Sequence, residues 1–175
     1  MLARAVKYKC TLSDLMVAIA DDPYYDDLTG AYAKFNWDIK DDNYNCHQMV
    51  SLDNKFNVVG YLEASIDRPG NYISNLMLIN FYKNNIRFSI DLKDFIFQLF
   101  FRYNYEKIVW NTTSPSRNEN IYDKFSSKYG GRVVGIHYKH TVLQNGDKKN
   151  IKIYEMFKDE FIARLKLVHP KELKL

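Results

Sequence analysis

Ten consecutive residues, Asn80-Phe81-Tyr82-Lys83-Asn84-Asn85-Ile86-Arg87-Phe88-Ser89, pair two cations with the approach to a helix. Lys83 and Arg87 precede a helical run that opens at Ser89. Side-chain charge at the positive end of a helix is chemistry suited to phosphate. Phosphate cradles ordinarily use glycine, because backbone N–H groups must converge on the anion with no Cβ in the way. Between Asn71 and Tyr129 there is no glycine at all. Two readings follow. Lys83 and Arg87 replace the backbone donors, or the turn is a solvated loop. Asp91, expected in the first turn of that helix, would repel a bound phosphate and favours the second.

A second candidate is Glu63. Tyr61, Glu63 and Ser65 share one face of a strand-like run, with Leu62, Ala64 and Ile66 on the other. A carboxylate on a partly polar face can accept a proton or partner a neighbouring strand. His137 and His140 are three apart in a strand, which sends them to opposite faces and excludes a shared metal site. Cys10 and Cys46 show no metal-like spacing, so no metal is expected and a reduced, intracellular protein is the default.

The elements that must position these groups are legible from periodicity. Ala5 to Tyr8 reads as a first strand. Thr11 reads as the cap of a helix with Leu12, Leu15, Met16 and Ile19 on one face, stopped by Asp21-Asp22-Pro23. A second helical piece spans Thr29 to Trp37. His47–Leu52, Phe56–Ile66 and Tyr72–Ile79, joined by short turns, form an antiparallel meander. The helix from Ser89 to about Tyr103 is apolar nearly all the way round. Lys107–Trp110 is a short strand parallel to the one before that helix. Arg117–Lys128 is a helix ended by Tyr129-Gly130-Gly131. Arg132–Leu143 and Ile151–Phe157 form a hairpin about Gln144-Asn145-Gly146-Asp147. Helical spacing returns from Glu160 to Val168. With no linker or repeat, residues 1–175 are read as a single domain.

The order β-α-α-β-β-β-α-β-α-β-β, an α/β (α+β) arrangement with a mixed sheet, resembles the GNAT N-acetyltransferase superfamily. The most specific stretch is Asn120-Ile121-Tyr122-Asp123-Lys124-Phe125 followed by Tyr129-Gly130-Gly131-Arg132-Val133-Val134-Gly135. It is similar to the family's helix carrying Tyr-x-Lys that runs into a glycine turn and a strand. The resemblance implies transfer of acetyl from acetyl-CoA to an amine. It places Tyr122 as the group that protonates the departing CoA thiolate, and Glu63 as the base for the amine. Leu78, Ile79 and Asn80 would hold the pantetheine through backbone hydrogen bonds. Asn118 would touch the same arm. Lys83, Arg87 and Ser89 would face the pyrophosphate. Against this, Tyr122 also reads as an ordinary core tyrosine beside Ile121 and Phe125.

The missing glycine turn sustains a second reading, a catalytically inactive GNAT-fold module used for assembly. The chain is similar to divergent phage-type members, for which a virion component or a host-directed binder is implied. Fourteen tyrosines and eleven phenylalanines in 175 residues suit protein interfaces, and Tyr24, Tyr25, Tyr44 and Tyr105 are the expected contacts. An AT-rich coding sequence explains the same composition. The chain carries a net charge of +4 with an acidic start and a basic tail. It lacks any nucleic-acid-binding motif, so such a partner is not expected. No signal peptide and no apolar run of roughly 18 residues is present, so no membrane partner is expected. The expected location is the cytoplasm, or the host cytoplasm or virion if phage-encoded.

Overall fold

The computed structural model describes residues 1–20, 22, 25, 38–82, 85–143 and 145–168. Strand β1 (Leu2–Arg4) leads through a 3₁₀ turn (Ala5–Tyr8) into helix α1 (Lys9–Ala20). The meander follows as β2 (Cys46–Leu52), β3 (Val58–Asp67) and β4 (Tyr72–Asn80). Helix α2 (Ile86–Phe97) continues through a π turn (Gln98–Arg102) to β5 (Lys107–Ser114). Then come α3 (Arg117–Tyr129), β6 (Arg132–Val142), β7 (Lys148–Phe157) and α4 (Lys158–Val168).

The strands make one seven-stranded sheet in the order β1-β2-β3-β4-β5-β7-β6. All neighbours are antiparallel except β4 and β5. That parallel pair is in register at only two positions, Tyr72 with Lys107 and Ile73 with Ile108. Strands of nine and eight residues that pair only at their starts leave a wedge between them. The parallel pair expected from the sequence is therefore present, with 72–80 beside 107–114, and it opens into a V.

Alternation along β3 divides the core in two. Leu62 and Ala64 face a cluster with α2, the π turn, α3 and α4, which contribute Phe95, Leu99, Tyr129 and Phe161 in turn. Tyr61 faces a cluster with α1 through Leu12, Met16 and Ile19. The helix α2 that is apolar all round is accommodated by burying Phe88, Phe95 and Ile96 and leaving Ile86 and Ile90 exposed. Phe88 lies against Gly60, where a Cβ would fall 2.1 Å from its ring, so α2 sits directly on the β3 backbone. Gly130 ends α3 at φ 93°, the left-handed conformation that glycine adopts without strain.

Several expectations need correction. Ala5–Tyr8 is a 3₁₀ turn, not a strand, because the first strand lies earlier, at Leu2–Arg4. Helix α2 starts at Ile86, with the Asn85 side chain accepting from the Arg87 N–H. Ser89 is thus the fourth helical residue, and Asp91 lies beyond the first turn. β5 runs four residues past Trp110. His137 and His140 do not diverge: a register slip between His137 and Thr141, with Lys139 at φ 49°, brings their rings to 5.0 Å. Tyr25 and Tyr105 are 5% and 3% exposed, so neither offers an interface, whereas Tyr44 is exposed. Tyr24, the helix expected at 29–37, and Lys83 lie outside the described residues.

Candidate active site

The wedge between β4 and β5 holds a cleft of about 230 Å³. Its walls are Asn75 to Leu78 of β4, Asn111 to Thr113 of β5, Asn118 and Tyr122 of α3, Thr141 of β6 and Ile151 of β7. Three of these, Leu78, Asn118 and Tyr122, were expected from the sequence. Among the described residues the lining carries amides and hydroxyls and no charged side chain. Asn111 Nδ2 donates to Asn75 Oδ1 at 3.1 Å, spanning the two arms just beyond their last paired residues. That lining suits a neutral arm with amide groups better than an ion.

Tyr122 is half-buried. Its ring stands edge-on to Trp110 at 6.4 Å and to Tyr154 at 6.0 Å. Burial pushes its phenol up to about 12, so it remains protonated near neutrality. The ring is both a core contact and a cleft wall, and the two sequence readings of Tyr122 prove compatible.

The neighbouring face of α3 is tied to the sheet by charge. Lys152 of β7 donates to Glu119 Oε1 at 3.0 Å and to Asp123 Oδ1 and Oδ2 at 2.8 and 3.0 Å. Ser114 Oγ donates to Glu119, and Tyr154 OH to Asp123. Burial opposes charge on Glu119, but Lys152 and Ser114 outweigh it and hold the carboxyl below its usual value. Hydrogen bonding from Lys152 lowers Asp123 as well. Burial works to discharge Lys152 itself, and the two carboxylates outweigh it and hold the ammonium above its ordinary value.

The other expected residues are distributed differently. Glu63 accepts from Tyr61 OH at 2.5 Å and from Gln48 Nε2 at 3.2 Å. It is level with Met77 across β3 and β4, one strand away from the cleft. Burial, then the Glu63 charge beside it, raises the Tyr61 phenol. Ile79 is 1% exposed and faces the α1 cluster. Asn80 accepts at its carbonyl from Tyr25 OH at 2.9 Å. Ser89 is exposed on α2. Arg87 turns back along its own helix, with Nη2 at 2.7 Å from Asp91 Oδ1. Asp91 has a fully buried side chain and also accepts from Ser51 Oγ and the Met1 nitrogen, each at 2.7 Å. Burial opposes its ionisation, yet those donors together hold the carboxyl below the ordinary range.

Sequence reasoning missed Asn111, Thr112 and Thr113 because β5 was ended at Trp110, and it missed Asn75 although that residue lies within the strand expected at Tyr72–Ile79. The Asn111-Thr112-Thr113-Ser114 run, rich in polar β-formers, was the available signal. Among the described residues no group of three or more His, Cys, Asp or Glu could hold a metal, and His137 with His140 has no third ligand. No helix among the described residues is long and apolar enough to cross a membrane.

No protein-family model matches the chain, and no curated protein sequence matches it. Solved structures do. The spermidine/spermine N-acetyltransferase SpeG from Vibrio cholerae in complex with manganese ions aligns with a TM-score of 0.60 at 13% identity, covering 88% of this chain and 77% of that one. The spermidine N-acetyltransferase from Vibrio cholerae in complex with CoA and spermine aligns at 0.59 and 12%, covering 86% and 76%. A chimera of SpeG with hSSAT aligns at 0.57 and 15%, covering 69% and 72%. Identity this low shows the fold and nothing finer. The chain is a GNAT-fold protein, with the mixed sheet and open parallel pair of that class.

Proposed function

We propose that this chain transfers acetyl from acetyl-CoA to an amine, in the cleft between β4 and β5. The observation that carries this reading is the neutral, amide-rich lining of that cleft with the Tyr122 phenol in its wall. Two of the solved structures it resembles are described as polyamine acetyltransferases, one of them with CoA and spermine bound.

In this reading the edge of β4 at Met77 and Leu78, with Asn118, holds the pantetheine arm. The amine nitrogen attacks the thioester carbonyl carbon, the carbon–sulfur bond breaks, and the electron pair leaves on sulfur. Positioning supplies most of the acceleration. Tyr122 donates a hydrogen bond to the departing thiolate. A phenol at about 12 keeps its proton at equilibrium against a thiol of about 8.5, so the contribution is stabilisation of developing charge more than complete transfer. Glu63, one strand over from Met77, receives the amine proton through water. The α2 N-terminus with Arg87 and Ser89 would face the diphosphate, Arg87 leaving Asp91 to do so.

The test is a melting curve with and without millimolar acetyl-CoA. A ligand at about 100 times its dissociation constant adds roughly 2.7 kcal/mol. With the shift in hand, Tyr122→Phe is expected to lower turnover about tenfold or more while leaving the shift intact. Unchanged turnover removes Tyr122 from the chemistry. A specific observation favours the second reading, a GNAT-fold module without catalysis that serves as a structural or assembly component, in a virion or against a host protein. Arg87 is already neutralised by Asp91 beside a turn without glycine. Absence of any acetyl-CoA shift, with a stable complex on sizing chromatography, would establish that alternative.

A further inference from the structure

Asn118 and Tyr122 line the cleft, and the residue after each of them, Glu119 and Asp123, is held by one ammonium group. Both pairs are spaced four apart on α3, so each forms a stripe along the helix, and the stripes are rotated by one residue, about 100°. A single cation therefore grips two successive turns on the flank of the stripe that faces the cleft. Lys152 is 14% exposed, and its strand position is level with Thr112, which is itself part of the cleft wall. The anchor extends at both ends: Ser114 Oγ reaches Glu119 Oε2 at 3.0 Å, and Tyr154 OH reaches Asp123 Oδ1 at 2.8 Å. Ser116 caps the helix through the Glu119 N–H, and its hydroxyl lies 3.3 Å from Thr112 Oγ1. Tyr154 also packs against the Tyr122 ring, so the ring and the charges share one support.

We propose that Lys152 is a positioning residue for Tyr122: by gripping Glu119 and Asp123 together it fixes the rotation of α3 about its own axis and so aims the phenol into the cleft. Packing alone does not define that rotation tightly. Edge-on aromatic contacts tolerate a range of angles, whereas a lysine satisfied by carboxylates on two turns does not. Without the ammonium, two carboxylates one turn apart repel each other and the helix loses the contact that sets its rotation. The proposal rests on the acetyl-transfer reading for its kinetic consequence, but not for its geometry.

The experiment uses the full chain with Lys152→Met, which keeps the stem and removes the charge, and Lys152→Arg, which restores it. Acetyl transfer is read as thiol released from acetyl-CoA with spermine as the probe acceptor. Lys152→Met is expected to lower kcat about tenfold while the KM for acetyl-CoA stays within about twofold, and Lys152→Arg is expected to recover most of the loss. In a Tyr122→Phe background, Lys152→Met is expected to have no further effect on kcat. An equal loss in both backgrounds, or a change confined to KM, overturns the proposal. If Lys152→Met does not fold, Asp123→Asn loosens the same grip at constant volume and is read identically.

An activity-free arm separates this idea from the function it rests on. In protein carrying fluorotyrosine, the Tyr122 fluorine resonance, identified by its loss in Tyr122→Phe, should shift or broaden in Lys152→Met and return in Lys152→Arg. A wild type that releases no thiol, together with a moved resonance, defeats the acetyl-transfer reading and keeps the positioning role. An unmoved resonance defeats the positioning role whatever the enzyme does.

Discussion

Helix α3, in the cleft wall, and helix α2, packed on β3, are both anchored by buried or half-buried ion pairs, yet the anchors do opposite things to the polar groups expected of a site. On α3, Lys152 takes Glu119 and Asp123 and leaves Asn118 and Tyr122 facing the opening. On α2, Asp91 takes Arg87, the described cation expected to meet a diphosphate, and the Asn85 side chain takes the Arg87 N–H. One anchor frees the site's polar groups and the other consumes them. The lesson is that a charged residue near a cleft is informative only once its partner is known.

The comparison breaks most readily at Asp91. Its side chain is fully buried, while Asp123 is 42% exposed. Asp91→Asn leaves Arg87 and the Met1 nitrogen facing a neutral amide, with an expected loss of about 3 kcal/mol, tempered because Arg87 reaches water. Asp123→Asn is expected to cost about 1 kcal/mol or less. Urea midpoints measure both, and a larger loss at Asp123 would invert the ranking of the two anchors.

Acid should reach a third place before either anchor. His47 is 3% exposed, stacked on Tyr103 at 3.9 Å, with Nε2 at 3.0 Å from Tyr105 OH. Burial first, then Arg68 and Arg102, lower it to about 4. The unfolded chain therefore takes up this proton first. Stability is full above the ordinary histidine value of 6.5, declines as pH falls, and levels off near 4, a loss approaching roughly 3 kcal/mol. Asp91, Glu119 and Asp123, all held low, keep their contribution until pH falls to the ordinary carboxylate values and lose it from there downward, so the histidine acts first. His47→Phe keeps the ring on Tyr103 and cannot protonate. A denaturation series from pH 7 to pH 4.5 should be markedly flatter for it, and parallel curves for the two proteins would remove His47 as the first acid-sensitive group.

The fold was legible because it is written in periods and punctuation. Alternation through Tyr61, Leu62, Glu63 and Ala64 sorted the two faces of β3 correctly, and Gly130 ended α3 where glycine must. What escaped was decided by partners distant in sequence. Nothing local to Arg87 says whether it faces solvent, a phosphate or Asp91, since the Asp91 site is completed by Ser51, forty residues earlier. Lys152 read as part of a basic tail, because its two acids lie 29 and 33 residues away. The histidine pair was misjudged for a different reason. Strict alternation assumes a regular strand, and a slip at Lys139 breaks it.

The smallest effect tests the comparison most directly. Asn85 is the cap of α2, and its side-chain oxygen sits 2.9 Å from the Arg87 N–H. That donor is one an anion at the helix end would use. Asn85→Gly removes the competing oxygen, and exchanging an asparagine cap for glycine costs only a few tenths of a kcal/mol. If α2 competes with a diphosphate for its own amide, CoA should bind Asn85→Gly about fivefold more tightly than wild type, the worth of one net hydrogen bond. Titration calorimetry with CoA measures this. An unchanged or weakened affinity would mean that the cap does not compete, and that α2 resembles α3 more closely than its contacts imply.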